Sequence, residues 1–69
     1  MTVKEVNYQA DVKAVLARLE RFYPPDTARF WLAMKHSAMG NERPIDLIKT
    51  GRVEFVMAVL DRLIREAGL

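Results

Sequence analysis

Side chains able to do acid-base or metal chemistry are few in this chain and stand apart from one another. The 69 residues include one histidine and no cysteine. His36 has no thiol to activate and no acid beside it, and we expect it near a helix end, where a protonated ring is stabilised. Glu42 and Asp46 stand four residues apart, but two acids without a histidine or a second pair do not make a metal site. The sequence therefore predicts no catalytic residue, no metal site and no cofactor.

Two kinds of binding site that need no catalysis are also disfavoured. Gly40, Gly51 and Gly68 lack the Walker spacing and the strand-then-helix setting of a phosphate-binding loop. Eleven basic and nine acidic residues give a net charge of +2, and the interspersed signs leave no basic stripe for nucleic acid. We expect a protein that is not an enzyme and does not bind nucleic acid by itself.

One residue type that is common in protein interfaces stands out near the end of the chain. On a helical wheel of residues 52–67, Phe55 lies outside the broad apolar sector, between Arg62 and Glu66. The ring is expected in solvent unless the N-terminal segment or another chain covers it, and an exposed aromatic beside arginine is typical of an interface anchor. Phe55, Arg62 and Glu66 are therefore candidate partner-binding residues.

These residues must be positioned by one small domain, because 69 residues can build only a limited core. Without disulfides or a structural zinc ion, stability has to come from the 51% hydrophobic composition or from a partner. The N-terminus lacks a signal peptide, and no apolar run is long enough to cross a bilayer. We predict a cytoplasmic protein that makes no membrane contact.

The first half of the chain shows two segments with helical periodicity. Residues 1–9 alternate loosely and are predicted to be an arm or a short strand-like extension. Residues 10–23 gather their apolar side chains in one sector and predict a helix, which Pro24-Pro25 ends. Pro25 suits the first position of a second helix running to about His36. On that helix one face is shared by Thr27, Phe30, Trp31 and Met34, while Leu32 points elsewhere.

The second half predicts a turn, a short helical turn and a long helix. Residues 37–43 are turn-forming, and Gly40-Asn41 can adopt positive φ. Pro44 opens a buried helical turn over residues 44–48. A final helix follows from about Arg52 to Ala67, capped by Thr50 or by Gly51, with Gly68 as the left-handed residue after it.

The predicted fold is an all-α domain of three helices, with an additional short helical turn before the long C-terminal helix. It spans residues 10–69 after an arm of residues 1–9. Trp31 is assigned to the core rather than to a contact surface, because a small domain needs its largest apolar side chain inside. The predicted core consists of Leu16, Leu19, Trp31, Leu32, Pro44, Ile45, Leu47, Ile48, Val56 and Leu60.

Several short motifs, taken in order, resemble those of one protein family. They are Ala28, Trp31-Leu32, Ala38-Met39-Gly40-Asn41, Arg43-Pro44-Ile45-Asp46-Leu47-Ile48 and Gly51-Arg52-Val53. Over residues 25–65 the chain resembles the toxin-binding domain of the Xre/MbcA/ParS antitoxins. It departs from that family at Asn41, where a second glycine is usual, and at Met39, where leucine is usual.

The resemblance implies a function and a partner. The family's partner is a RES-domain toxin that consumes NAD, so the resemblance implies that this chain binds and neutralises such a toxin by occlusion. The C-terminal helix would lie at the toxin's active site, with Arg62, Arg65 and the terminal Gly68-Leu69 nearest to it. The full antitoxins carry an N-terminal helix-turn-helix, for which the residues before the match leave no room, so we do not expect promoter repression.

A second hypothesis needs no toxin. In it the chain is a self-associating structural or adaptor domain, and Phe55 with the wide apolar face of the last helix forms a homodimer. The two hypotheses differ in whether the chain stays monomeric until a toxin is added.

Overall fold

The structure, a computed structural model, describes the backbone of residues 3–68 and the side chains of residues 8–68. Its elements are α1 (Val3–Leu19), α2 (Pro25–Ala33), a 3₁₀ turn (Ser37–Met39), α3 (Pro44–Lys49) and α4 (Val53–Ala67). Within these residues the only β-type pairing is an isolated bridge between His36 and Glu42. The predicted all-α architecture, with a short helix before the long last one, is confirmed. None of the described helices is long and apolar enough to cross a membrane.

α1 begins earlier than the sequence predicted. Residues 3–9, expected as an arm or a strand-like extension, form its first turns. One helical face continues through the apolar residues Tyr8, Val12, Val15 and Leu19, which are spaced by four, three and four residues. This helical period outweighs the loose alternation of apolar residues at the N-terminus. Tyr8 and Val12 pack against the core, which Val15 and Leu19 enter fully.

α1 also ends four residues before Tyr23, the predicted end. The N–H of Phe22 donates to the carbonyl oxygen of Leu19 at 3.0 Å, a three-residue spacing that tightens the last turn. Pro24 follows directly and disfavours helical backbone in the residue before it. The chain therefore turns over residues 20–23 before α2 begins at Pro25.

α2 ends at Ala33, short of the predicted His36. Met34 has extended backbone, with ψ 153°, and the N–H of His36 donates to the carbonyl oxygen of Glu42 at 3.2 Å. This bridge closes a loop that contains the 3₁₀ turn and two successive left-handed residues, Gly40 (φ 69°) and Asn41 (φ 63°). The prediction of positive φ at these two positions is confirmed.

The core lies where α3 meets the three longer helices. α3 packs against α1, α2 and α4, and α1 also packs against α2 and α4. Each large aliphatic side chain buried here contributes about 1.5 to 3 kcal/mol. The buried apolar residues are Val15, Leu19, Ala28, Leu32, Met39, Leu47, Ile48, Val56, Val59 and Leu60.

The ten residues assigned to the core from the sequence fall into two groups. The fully buried ones are Leu19, Leu32, Pro44, Leu47, Ile48, Val56 and Leu60. Leu16, Trp31 and Ile45 are partly buried, and of these Leu16 and Trp31 pack against the core. Trp31 is thus at the edge of the core rather than at its centre.

Candidate partner-binding surface

The direction of α4 is set by a tight hydrogen-bonded turn at the end of α3. Gly51 has left-handed backbone (φ 83°), and its N–H donates to the carbonyl oxygen of Ile48 at 3.0 Å. The N–H of Arg52 donates to the carbonyl oxygen of Leu47 at 2.9 Å. This pair of bonds is a Schellman motif, which satisfies the last carbonyls of α3 and turns the chain sharply.

The predicted caps of α4 are wrong. The N-cap residue is Arg52, and no side chain caps the helix. The hydroxyl of Thr50 instead donates back to the carbonyl oxygen of Leu47 at 2.9 Å, and Gly51 is used to end α3. Glu54 therefore occupies the second helical position rather than the capping-box position. Both candidate caps belong to the preceding helix because only three residues separate α3 from α4.

The start of α3 is fixed in a different way, by a buried proline and an ion pair. Pro44 is buried at the first position of α3, as its fixed φ allows. Arg43 Nε donates to Asp46 Oδ2 at 2.8 Å, and Nη2 donates to Oδ1 at 3.1 Å. The hydrogen bond from Arg43 lowers the pKa of Asp46 and in turn raises the pKa of Arg43. We call residues 43–52 the elbow.

The inner face of α4 fixes the rotation of the helix about its axis. Val56, Val59 and Leu60 are buried against the core. On the flank of α4, Asp61 forms an ion pair with Arg18 of α1, and both side chains are part-exposed. A part-exposed pair contributes little energy, but it links two helices at a defined point. The elbow and the inner face together decide which side chains of α4 remain in solvent.

The outer row of α4 consists of Phe55, Arg62, Arg65 and Glu66. The ring of Phe55 is 45% exposed, and the other three residues are exposed. Arg62 and Glu66 follow Phe55 by seven and eleven residues, which places them on the same side of the helix. Among the described residues, neither arginine forms a salt bridge. The row combines an uncovered aromatic ring with two cations that are available for pairing.

The C-terminal end of α4 is capped as the sequence predicted. Gly68 has left-handed backbone (φ 77°), and its N–H donates to the carbonyl oxygen of Arg65 at 3.2 Å. Gly68 is exposed and lies just beyond the outer row. Leu69, the remaining candidate partner-binding residue, lies outside the described residues.

A second exposed face, on α2, was not found by sequence reasoning. The sequence grouped Phe30 with Trp31 and turned Leu32 away, whereas the structure buries Ala28 and Leu32 and leaves Phe30 64% exposed. Met34, four residues after Phe30, is 39% exposed. The small side chain of Ala28 lets this side of α2 approach the core closely. The sequence does not show which side of α2 faces the core, because both sides are apolar. Only the packing of α2 against the other helices decides it.

The single histidine has a structural contact. His36 Nε2 lies 2.9 Å from the carbonyl oxygen of Trp31, so the ring donates its Nε2–H to that oxygen. The two rings lie with centroids 4.5 Å apart and tilted by 40°. These contacts hold the loop after α2 against the edge of the core. In the part of the chain that the structure describes, no group of three histidines, cysteines or acids could hold a metal ion.

Comparison with known proteins gives one match. The family model described as the antitoxin Xre/MbcA/ParS C-terminal toxin-binding domain matches residues 18–68. The match includes the end of α1, the elbow and all of α4. No curated protein and no solved structure gives a significant match.

Proposed function

Because this chain belongs to the family of antitoxin Xre/MbcA/ParS C-terminal toxin-binding domains, we propose that it binds a toxin protein through the outer row of α4. The observation that carries the proposal is the exposure of Phe55 at the border of the buried face of a helix that Val56, Val59 and Leu60 fix in the core. A rigid helix pays little conformational entropy on binding, so more of the contact energy remains as affinity.

The chemistry of the outer row supports this role. Aromatic and arginine side chains are enriched among the residues that dominate binding energy, and covering Phe55 removes its apolar ring surface from water. Arg62 and Arg65 can donate to carboxylates of a partner without breaking an ion pair seen in the described residues. Binding through this row costs the domain none of the contacts described above.

We assign the toxin to the RES type, which consumes NAD, and the mode of action to occlusion. In this proposal α4 covers the toxin's active site, with Arg62, Arg65, Gly68 and Leu69 nearest to it. The chain contributes no catalytic residue, metal or cofactor, and it acts in the cytoplasm. Its effect on the toxin is steric and electrostatic.

Binding to a purified RES-type toxin tests the proposal. Wild type should bind the toxin and inhibit its consumption of NAD, and Phe55→Ala should weaken both effects by at least about tenfold. Phe30→Ala is the matched control, because it removes an equally large exposed ring from α2 and should leave toxin affinity unchanged. Circular dichroism on both variants checks that the helices persist.

Two results would count against the proposal. One is equal loss of toxin binding by the two variants, which would mean that general apolar contact rather than the outer row drives binding. The other is full inhibition by Phe55→Ala at wild-type concentrations.

The alternative of a self-associating adaptor module has less support at this surface. It needs the wide apolar face of α4, and Val56, Val59 and Leu60 of that face are buried within the monomer. Phe55 alone offers too little apolar area for a stable dimer. Analytical ultracentrifugation of Phe55→Glu measures whether this residue supports any self-association.

A further inference from the structure

One ion pair joins two different helices in the part of the chain that the structure describes. Arg18 of α1 donates through Nη1 to Asp61 Oδ1 of α4, and both side chains are partly exposed. The other two salt bridges each join residues three apart, at the starts of α2 and α3. α1 and α4 also pack against each other, so this ion pair lies where two helices meet. The proposed toxin contact gives neither residue a role.

Asp61 is also spaced to pair with a residue of the outer row. Arg65 follows Asp61 by four residues on α4, and an acid followed by a base at this spacing can form an ion pair across one helical turn. No other acidic residue stands three or four positions from Arg65. Among the described residues Arg65 nevertheless forms no salt bridge, and Asp61 is paired with Arg18 instead.

Arg18 has no acid to pair with along its own segment. The positions three and four residues away from it are occupied by Ala14, Val15, Arg21 and Phe22. Asp61 therefore has two basic residues to choose from, one on the facing helix and one on its own, and in the fold it pairs with the facing one. A carboxylate that is already paired with a guanidinium is neutral as a unit, so it attracts a second arginine only weakly.

We propose that Arg18 is a positioning residue for toxin binding, because by holding Asp61 it keeps Arg65 free to pair with a carboxylate of the toxin. This inference rests on the proposed function, since it requires Arg65 to contact the toxin. An arginine held by Asp61 would have to break that ion pair before it could bind a partner. The benefit is limited to the strength of one exposed ion pair, so Arg18 adjusts the affinity and does not create it.

Toxin binding by an Arg18 variant tests the proposal. Arg18→Gln keeps most of the aliphatic stem, removes the charge and releases Asp61. It should weaken the affinity for a purified RES-type toxin by about twofold to fivefold at low salt, the range expected for one exposed ion pair. Adding Asp61→Asn removes the competing acid and should restore the wild-type affinity. A purely structural role for the ion pair predicts no restoration, because the link between the helices is still missing in the double variant.

The net charge of the chain needs its own controls, because Arg18→Gln lowers it by one and Asp61→Asn raises it again. Arg21→Gln makes the same change at an exposed position nearby in the sequence and should leave toxin affinity unchanged. In an Arg65→Gln background, Arg18→Gln should have no further effect, since the residue through which it acts is gone. A general electrostatic effect would appear in both controls. Isothermal titration calorimetry measures the affinities, and circular dichroism checks that every variant folds.

Side-chain NMR of the chain alone tests the intramolecular half of the proposal without a toxin. In wild type, the Nε–H of Arg65 should exchange with water like that of an unpaired arginine. Arg18→Gln should slow this exchange by at least about twofold, because Arg65 then donates to Asp61. Asp61→Asn should reverse the change.

Two results would overturn the proposal. One is an exchange rate at Arg65 that Arg18→Gln leaves unchanged, and the other is a loss of toxin affinity that Asp61→Asn does not reverse. The proposed function can fail separately. If Arg65→Gln leaves toxin affinity unchanged, the toxin does not use Arg65, and the role of Arg18 in binding is rejected together with that contact. The NMR measurement then still shows whether Arg18 controls the pairing of Asp61.

Discussion

The elbow and the outer row of α4 are adjacent in the chain but differ in how their side chains are used. In the elbow, Arg43 pairs with Asp46, Thr50 bonds to the backbone of α3, and Gly51 closes the Schellman turn. In the outer row, Phe55 and the two arginines have no such partners among the described residues. The polar groups of the elbow bond to one another and to the backbone and so position α4. The side chains of the outer row remain available to bind another molecule.

This difference separates stability from binding. A substitution in the elbow or on the inner face of α4 should change the free energy of unfolding first, and toxin affinity only through loss of folded protein. A substitution in the outer row should change toxin affinity at nearly constant stability.

Leu60→Ala should give the largest change. Leu60 is 2% exposed on the inner face of α4, and its truncation leaves a cavity at the junction of the helices. We expect a loss of about 2 to 5 kcal/mol in the free energy of unfolding. Phe55→Ala changes an exposed residue of the same helix, five positions before Leu60. It should cost about 1 kcal/mol or less, because alanine also favours the helix.

Urea unfolding of both variants measures the contrast. If Leu60→Ala and Phe55→Ala lowered the free energy of unfolding equally, the distinction between the inner face and the outer row of α4 would be lost. A domain of this size has only a small margin of stability, so Leu60→Ala should be measured at low temperature, where enough folded protein remains.

Gly51→Ala should give an intermediate change that isolates the elbow. The backbone at Gly51 has φ 83°, and a Cβ added there would meet no atom within 4 Å, so the cost is conformational rather than steric. We expect about 1 to 2 kcal/mol of destabilisation. Gly68→Ala is the matched control, since Gly68 has φ 77° and equally open surroundings but ends the last helix. Its cost should be below about 0.5 kcal/mol, because Gly68 is exposed and its turn positions no later helix among the described residues.

Thermal melts of the two glycine variants provide the measurement. A larger effect at Gly68 than at Gly51 would mean that the elbow is not the point that positions α4. A gain in stability at Gly51 would contradict the left-handed backbone at that residue.

The elbow shows why part of the fold could be predicted from the sequence. Pro44 in the elbow and Gly68 after α4 act through local backbone preferences, which hold whatever surrounds them. Gly51 was expected as a cap of α4 and instead ends α3. The amphipathic pattern of α4 is strong, and it left Phe55 outside the apolar sector before any contact was known. Local chemistry was therefore sufficient to predict a short helix, a turn and a long helix in this order.

The faces and ends of the other helices depended on contacts that the pattern did not specify. On α2, Phe30 and Leu32 are both large and apolar, and the smaller Ala28 decided which side could approach the core. The start of α1 was missed because a weak alternation over residues 1–9 overlapped a helical row that includes Tyr8. The exposure of Phe30 could not be predicted for the same reason: it is a result of how the helices pack.

Asp46→Asn should give the smallest change in stability, and its dependence on pH identifies its cause. The hydrogen bond from Arg43 lowers the pKa of Asp46 in the folded state. A lowered folded pKa contributes stability that is present above the unfolded pKa and is lost as the pH falls through the folded pKa. The difference in unfolding free energy between wild type and Asp46→Asn should therefore be greatest near neutral pH and should vanish in acid. Asp26→Asn, which breaks the more exposed pair with Arg29, is the control and should have less effect.

Toxin affinity should be unchanged by Asp46→Asn at neutral pH, because Arg43 and Asp46 satisfy each other within the elbow. A loss of affinity without a loss of stability would show that the elbow also contacts the toxin, and the separation between positioning and binding would then fail.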